Sequence, residues 1–93
     1  MTNENEHQSA DHGPNAVQII VNGQEKTVPK EKISYESIVK LAYGDSPPPA
    51  DKYDLTVTYR RGAAPHEQGE LFPGKSVMVV KGMIFNVTPT KKS

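Results

Sequence analysis

This chain of 93 residues carries eleven basic and eleven acidic side chains and no cysteine. That length allows one domain, and 34% hydrophobic with 6% aromatic residues gives a modest core, with net stability toward the lower end of about 5–15 kcal/mol. A formal charge of zero offers no field toward nucleic acid or an anionic membrane, the absence of cysteine removes disulfides, thiolate nucleophiles and thiolate metal sites, and no apolar run approaches the ~20 residues of a spanning helix.

The chain opens with residues 1–15, whose only apolar members are Met1 and Ala10; such a segment cannot bury enough surface to offset its ordering entropy and reads as a disordered leader. Its acidic start is the reverse of a secretory signal, so a cytoplasmic chain is expected. His7, His12 and His66 are scattered in sequence and read as solvated side chains rather than a metal site. Order is expected from Val17, where Val17, Ile19 and Val21 alternate with polar neighbours and Ile20 falls on the opposite face. Asn22-Gly23 is a strong hairpin turn, returning through Gln24-Glu25-Lys26-Thr27-Val28 to a stop at Pro29.

One helix follows. Ser34 is the N-cap, Ile33 and Ile38 occupy the staple positions, and Tyr35, Ile38, Val39 and Ala42 form an apolar face opposite Glu36, Ser37 and Lys40. Gly44 supplies the stop, and Pro47-Pro48-Pro49 reads as a stiff connector rather than a ligand for a proline-binding domain. Leu55, Val57 and Tyr59 then alternate with Asp54, Thr56, Thr58 and Arg60 as a strand. Residues 61–69 read as a loop, and Phe72-Pro73-Gly74 places proline and glycine where a type II turn wants them. The last two apolar runs, Ser76-Val77-Met78-Val79-Val80 and Met83-Ile84-Phe85-Asn86-Val87-Thr88, flank Lys81-Gly82 and read as a terminal hairpin.

A hairpin, one helix with a single apolar face and a second group of strands fit an α+β architecture, a mixed sheet of four to five strands wrapped around the helix in the β-grasp manner. An antiparallel roll with a packed helix is the other arrangement this element order allows. The expected organisation is a leader over 1–15, a domain over 16–88 and a flexible tail over 89–93.

The run from Ile33 to Ala42, the connector around Pro47-Pro48-Pro49, Val57-Thr58-Tyr59-Arg60 and the closing Pro73-Gly74-Lys75-Ser76-Val77 and Gly82-Met83-Ile84-Phe85-Asn86-Val87-Thr88 resemble the bacterial multiubiquitin-type ubiquitin-like domains. The resemblance implies a ubiquitin-like protein modifier of a bacterial ubiquitination-like pathway. Its partners would be an E1-like activating enzyme, an E2-like conjugating enzyme and a deubiquitinase-like or processing peptidase. Ubiquitin ends in Gly-Gly, whereas this sequence ends in Lys92-Ser93, so either the end is activated as it stands, or a peptidase trims it first, or the family has diverged in its chemistry.

Thr88, Pro89, Thr90, Lys91, Lys92 and Ser93 are the expected conjugation tail, since six extended residues reach about 20 Å, far enough to enter a partner's active site. Ile20, Met78, Val80 and Ile84 are expected on the outer face of the sheet as an apolar partner-binding patch. A scaffold that binds through that face without conjugation is the competing reading. Asp54, Glu70 and His66 show no nucleophile–base spacing and no glycine-rich phosphate loop is present, so neither an enzyme nor a cofactor is expected.

Overall fold

A computed structural model describes residues 15–92. The leader expected over 1–15 therefore lies outside the described residues except for Asn15, whose carbonyl accepts a hydrogen bond from the Lys30 amide. Seven strands and one helix follow in chain order: β1 Ala16–Val21, β2 Gln24–Pro29, β3 Lys32–Ser34, α1 Tyr35–Tyr43, β4 Tyr53–Arg60, β5 Gly69–Leu71, β6 Ser76–Met78 and β7 Ile84–Lys91. Five strands form one sheet in the order β2-β1-β7-β4-β5, and β3 pairs with β6 in a small second sheet. Because β1 runs parallel to β7 while every other neighbour is antiparallel, the sheet is mixed and the purely antiparallel roll is excluded.

The local signals act where expected. Asn22 and Gly23 take φ 51° and 82°, the two left-handed conformations of a type I′ turn. The Ser34 hydroxyl accepts from the Ser37 amide at 3.1 Å and caps α1. Gly44, at φ 64°, donates its N–H to Lys40 O and ends the helix. The helix lays Ile38, fully buried, onto Ile19 and Val21 of β1, Val57 of β4 and Phe85 and Val87 of β7. No buried polar or charged side chain is found among the described residues, so burial of this aliphatic layer is what holds sheet and helix together.

The expected terminal hairpin does not form. Val80 to Met83 is a turn, with Met83 N–H donating to Val80 O at 3.1 Å and Gly82 at φ 81°, but the strands on either side part. In a hairpin closed by Lys81-Gly82, Val80 would face Met83 and Val79 would face Ile84, on opposite faces. The core instead takes both Val79 and Met83 at 0% exposure, a parity no hairpin can satisfy. Accordingly β6 pairs with β3, Val79 N–H continues that ladder to Glu31 O, and Gly82 N–H donates to Gln18 O to carry the chain across to β1. Two short strands hidden in the sequence, β3 and β5, lie where capping and loop signals dominated.

β7 is held beside β1 by Ile20 N–H to Met83 O at 2.9 Å and Asn22 N–H to Phe85 O at 3.0 Å. The Asn22 side chain extends this seam: its Oδ1 accepts from Val87 N–H at 2.8 Å. Asn22→Gly keeps the turn and loses that bond, so it is expected to cost about 1 kcal/mol, while Asn22→Ala adds a left-handed strain of about 1 kcal/mol more; urea unfolding of the two variants measures the difference. On the other side of the core the Tyr35 hydroxyl donates to Leu55 O at 2.9 Å. Burial, then Glu36 and Asp54, raise its pKa above the usual 10. The folded state therefore favours the protonated phenol: its contribution is fully present below about pH 10 and is lost as pH rises through the raised folded value. The stability advantage of the wild type over Tyr35→Phe is accordingly expected to shrink above about pH 10, as urea midpoints across pH would record.

Candidate functional site

The expected tail is part of the sheet. β7 runs to Lys91, with Thr88 opposite Thr56, Pro89 opposite Leu55, Thr90 opposite Asp54 and Lys91 opposite Tyr53, so the boundary placed after Thr88 is corrected to the end of this strand. Lys92 is fixed as well: its amide donates to Lys52 O at 2.8 Å, its ammonium donates to Ala50 O at 2.9 Å and lies 3.7 Å from Asp54 Oδ1. Ser93 lies outside the described residues.

Pro89 does not interrupt this strand. Along β7, the Phe85 carbonyl and the Val87 amide face β1 and the Asn22 turn. By strand alternation residues 84, 86, 88 and 90 turn their backbone groups to β4, and the Lys92 bond to Lys52 keeps the same parity. Pro89 thus has its missing N–H on the side away from β4, where a proline breaks no ladder bond. Past Val87 the neighbour β1 has already turned back through Asn22-Gly23, so 88–91 are paired on one side only. Thr88, Pro89, Thr90, Lys91 and Lys92 are all exposed.

The four residues expected to form an apolar patch divide. Ile20 and Ile84 are register partners across the β1–β7 seam, on the face opposite the buried Ile19, Val21, Phe85 and Val87. Their row continues to Glu25 on β2 and Arg60 on β4. Val80, by contrast, is half-buried against the core, and Met78, 47% exposed, stands opposite Lys32 in the second sheet. Both are corrected out of the row, because β6 left the hairpin that would have carried them there. The outward rows further along β7 and β4 are polar, Asn86-Thr58-Glu70, Thr88-Thr56 and Thr90-Asp54, and those further along β1 and β2 are Gln18-Thr27 and the small pair Ala16-Pro29. The outer face therefore carries one pair of large aliphatic side chains, set between an acid and a guanidinium.

Asp54, Glu70 and His66 are not brought together for catalysis: Asp54 lies beside Lys92, Glu70 is on the edge strand opposite Thr58, and His66 is an exposed loop residue. Among the described residues no three His, Cys, Asp or Glu side chains are grouped to hold a metal ion, and no helix is long and apolar enough to cross a membrane. Sequence reasoning missed Asn22 as more than a turn former. Its side-chain bond to Val87 spans 65 positions, and no local pattern carries it.

No curated protein and no solved structure matches the chain. The family described as multiubiquitin matches residues 17–91, the span of the sheet and helix just described. With one helix on a mixed five-stranded sheet in ubiquitin-like β-grasp form, the chain belongs to the multiubiquitin family.

Proposed function

We propose that the protein is a ubiquitin-like modifier of a cytoplasmic, bacterial ubiquitination-like pathway. In this reading its segment Thr88-Pro89-Thr90-Lys91-Lys92-Ser93 is handed to an E1-like activating enzyme, as it stands or after trimming by a deubiquitinase-like or processing peptidase, and then to an E2-like conjugating enzyme. Activation joins a terminal carboxylate to the α-phosphate of ATP and releases pyrophosphate, so the last residues of the segment, from Thr90 on, must leave the sheet and extend. The observation that carries the reading is the one-sided, solvent-facing pairing of the end of β7. Freeing residues 90–92 breaks the two bonds that Thr90 and Asp54 exchange, the Lys92 amide bond and the exposed Lys92 side-chain contacts, and uncovers no core residue. At about 0.5–1.5 kcal/mol net per bond that is roughly 3 kcal/mol, below even a low global stability.

A second reading is favoured by the Ile20–Ile84 pair. The sheet face then serves as a non-covalent contact, either for the activating enzyme or for a scaffold partner, with the aliphatic pair as anchor and Arg60 and Glu25 setting orientation.

The chain has no cysteine, which permits a clean lock on the strand end. With the activating enzyme from its own cell and ATP, the wild type is expected to support ATP–pyrophosphate exchange, and loss of Lys91, Lys92 and Ser93 to abolish it. A chain carrying Asp54→Cys and Thr90→Cys is expected to be inert when oxidised and active when reduced. Equal exchange by the oxidised and reduced forms, or by the truncated chain, would sink the modifier reading.

For the sheet face, Ile84→Asp is expected to weaken binding of that enzyme about tenfold or more with the amide spectrum of the fold retained. Unchanged binding by a folded Ile84→Asp chain removes this face from the contact.

A further inference from the structure

An apolar hollow of about 420 Å³ lies away from the end of β7, between β2, β3 and α1. Val28, Ile33 and Leu41 supply its apolar wall, with Lys32, Lys40 and Glu31 at the rim. It adjoins an open sheet edge, since among the described residues β2 has β1 as its sole neighbour. The direction of β2's open groups follows from β1. Ile20 and Asn22 donate their N–H groups to β7, so the odd residues of β1 bond β2, and their register partners are Gln24, Lys26 and Val28. Glu25 and Thr27 consequently turn N–H and C=O outward. Pro29 has no donor to offer there, and its carbonyl already accepts from Glu31 N–H at 2.9 Å.

We propose that this edge and hollow together take a further strand from a partner protein: an extended segment paired on Glu25 and Thr27, with apolar side chains at alternate positions and acidic residues at its flanks. The pairing supplies up to four backbone hydrogen bonds at two residues, and the two-residue repeat of an extended chain points every second side chain at Val28, Ile33 and Leu41. Charge selects the flanks. Lys26 shares the inward parity of Val28 on β2, and Lys30, Lys32 and Lys40 lie on the turn, β3 and α1 beside it, against the acids Glu31 on the rim and Glu25 on the outer face. Lys40 also lies 3.6 Å from Asp45, but both side chains are exposed, so that ion pair is weak enough to exchange for a partner's carboxylate. A second copy is a poor fit: a two-fold antiparallel pairing of the β2 edges through Glu25 and Thr27 sets Lys26 against its own equivalent and Pro29, which has no N–H to give, against Gly23 of the copy. The inference does not depend on the carboxyl-terminal segment, which lies on a different strand.

The test uses the full chain and blocked synthetic peptides in which three valines alternate with threonines between terminal pairs of glutamates. Nuclear magnetic resonance titration is expected to move the amides of Glu25, Thr27, Ile33 and Leu41 and to leave Ile84 and Thr90 unmoved. The Lys32→Glu, Lys40→Glu double variant is expected to lower the affinity about tenfold and to prefer a lysine-flanked peptide. Methylating the backbone nitrogens of alternate peptide residues leaves the protein untouched: one parity is expected to abolish binding and the other to spare it. Equal binding by both methylated peptides would rule out strand pairing. Shifts at the same amides that grow with protein concentration and no peptide would assign the hollow to a second copy and overturn the proposal.

Discussion

The whole sheet depends on β7 being longer than the strand it shares a seam with. β1 meets it in register only at Ile20–Ile84 and Val21–Phe85 before the Asn22-Gly23 turn sends the chain back along β2. Asn22 then stands in for a next strand residue, its amide on Phe85 O and its Oδ1 on Val87 N–H. Buried backbone groups must be satisfied, and this side chain allows Val87 to stay in the core after β1 has ended. Beyond it β7 leans on β4 alone. One strand is thus central and two-sided over its first half and a one-sided ribbon over its second.

Proline occupies both places where the main sheet would otherwise offer a longer open edge. Pro89 puts its missing donor on the side of β7 that β1 has vacated, and Pro29 does the same at the end of β2. In each case the backbone position opposite a ladder bond would be a donor available for unwanted pairing, and proline removes it without breaking a native bond. What is left unprotected is short: Glu25 and Thr27 on the β2 edge, Lys91 where β1 has ended, and the three-residue strand β5 at the far edge. A binding strand could therefore register on β2 in few ways, because the usable donors are two.

The signals that were legible were local and backbone-determined. Asn22-Gly23, the Ser34 cap, the Gly44 stop and the Phe72-Pro73-Gly74 turn each dictate dihedrals over two to four residues, and each acts as its chemistry requires; Lys75 N–H closes the last of these on Phe72 O. The helix face and the alternation of β4 were legible for the same reason, a period imposed by one core. What failed was pairing. Val79 and Met83 are both drawn inside by the core, a demand from the tertiary structure that outweighs a turn signal. The polar run after Thr88 read as a tail because sequence does not reveal that β4 pairs with it as far as Lys91. Gly69 looked like loop, yet it lies opposite Tyr59, where a Cβ would come within 3.0 Å of the phenol oxygen; its bareness is what lets that ring cover the edge strand. Of the expected patch, the half that depended on strand parity, Ile20 and Ile84, came together. The half that depended on the hairpin did not.

A zipped strand end and a role as a presented end are compatible because of the size of the gap between them. An opening cost of roughly 3 kcal/mol leaves about one molecule in 150 with residues 90–92 extended at any moment. An enzyme that grasps only the extended form then sees its affinity reduced by the same factor unless it gains contact elsewhere. The Ile20–Ile84 row lies on the same strand, at the end that stays two-sided when the other end opens. A partner seated there needs no part of the core to move, and its binding energy offsets the unzipping a few residues further along β7. Pro89, between the two halves, keeps the opened ribbon from being captured by another edge while it waits. Strand length, one asparagine and one proline thereby set both how firmly the end is held and how readily it is released.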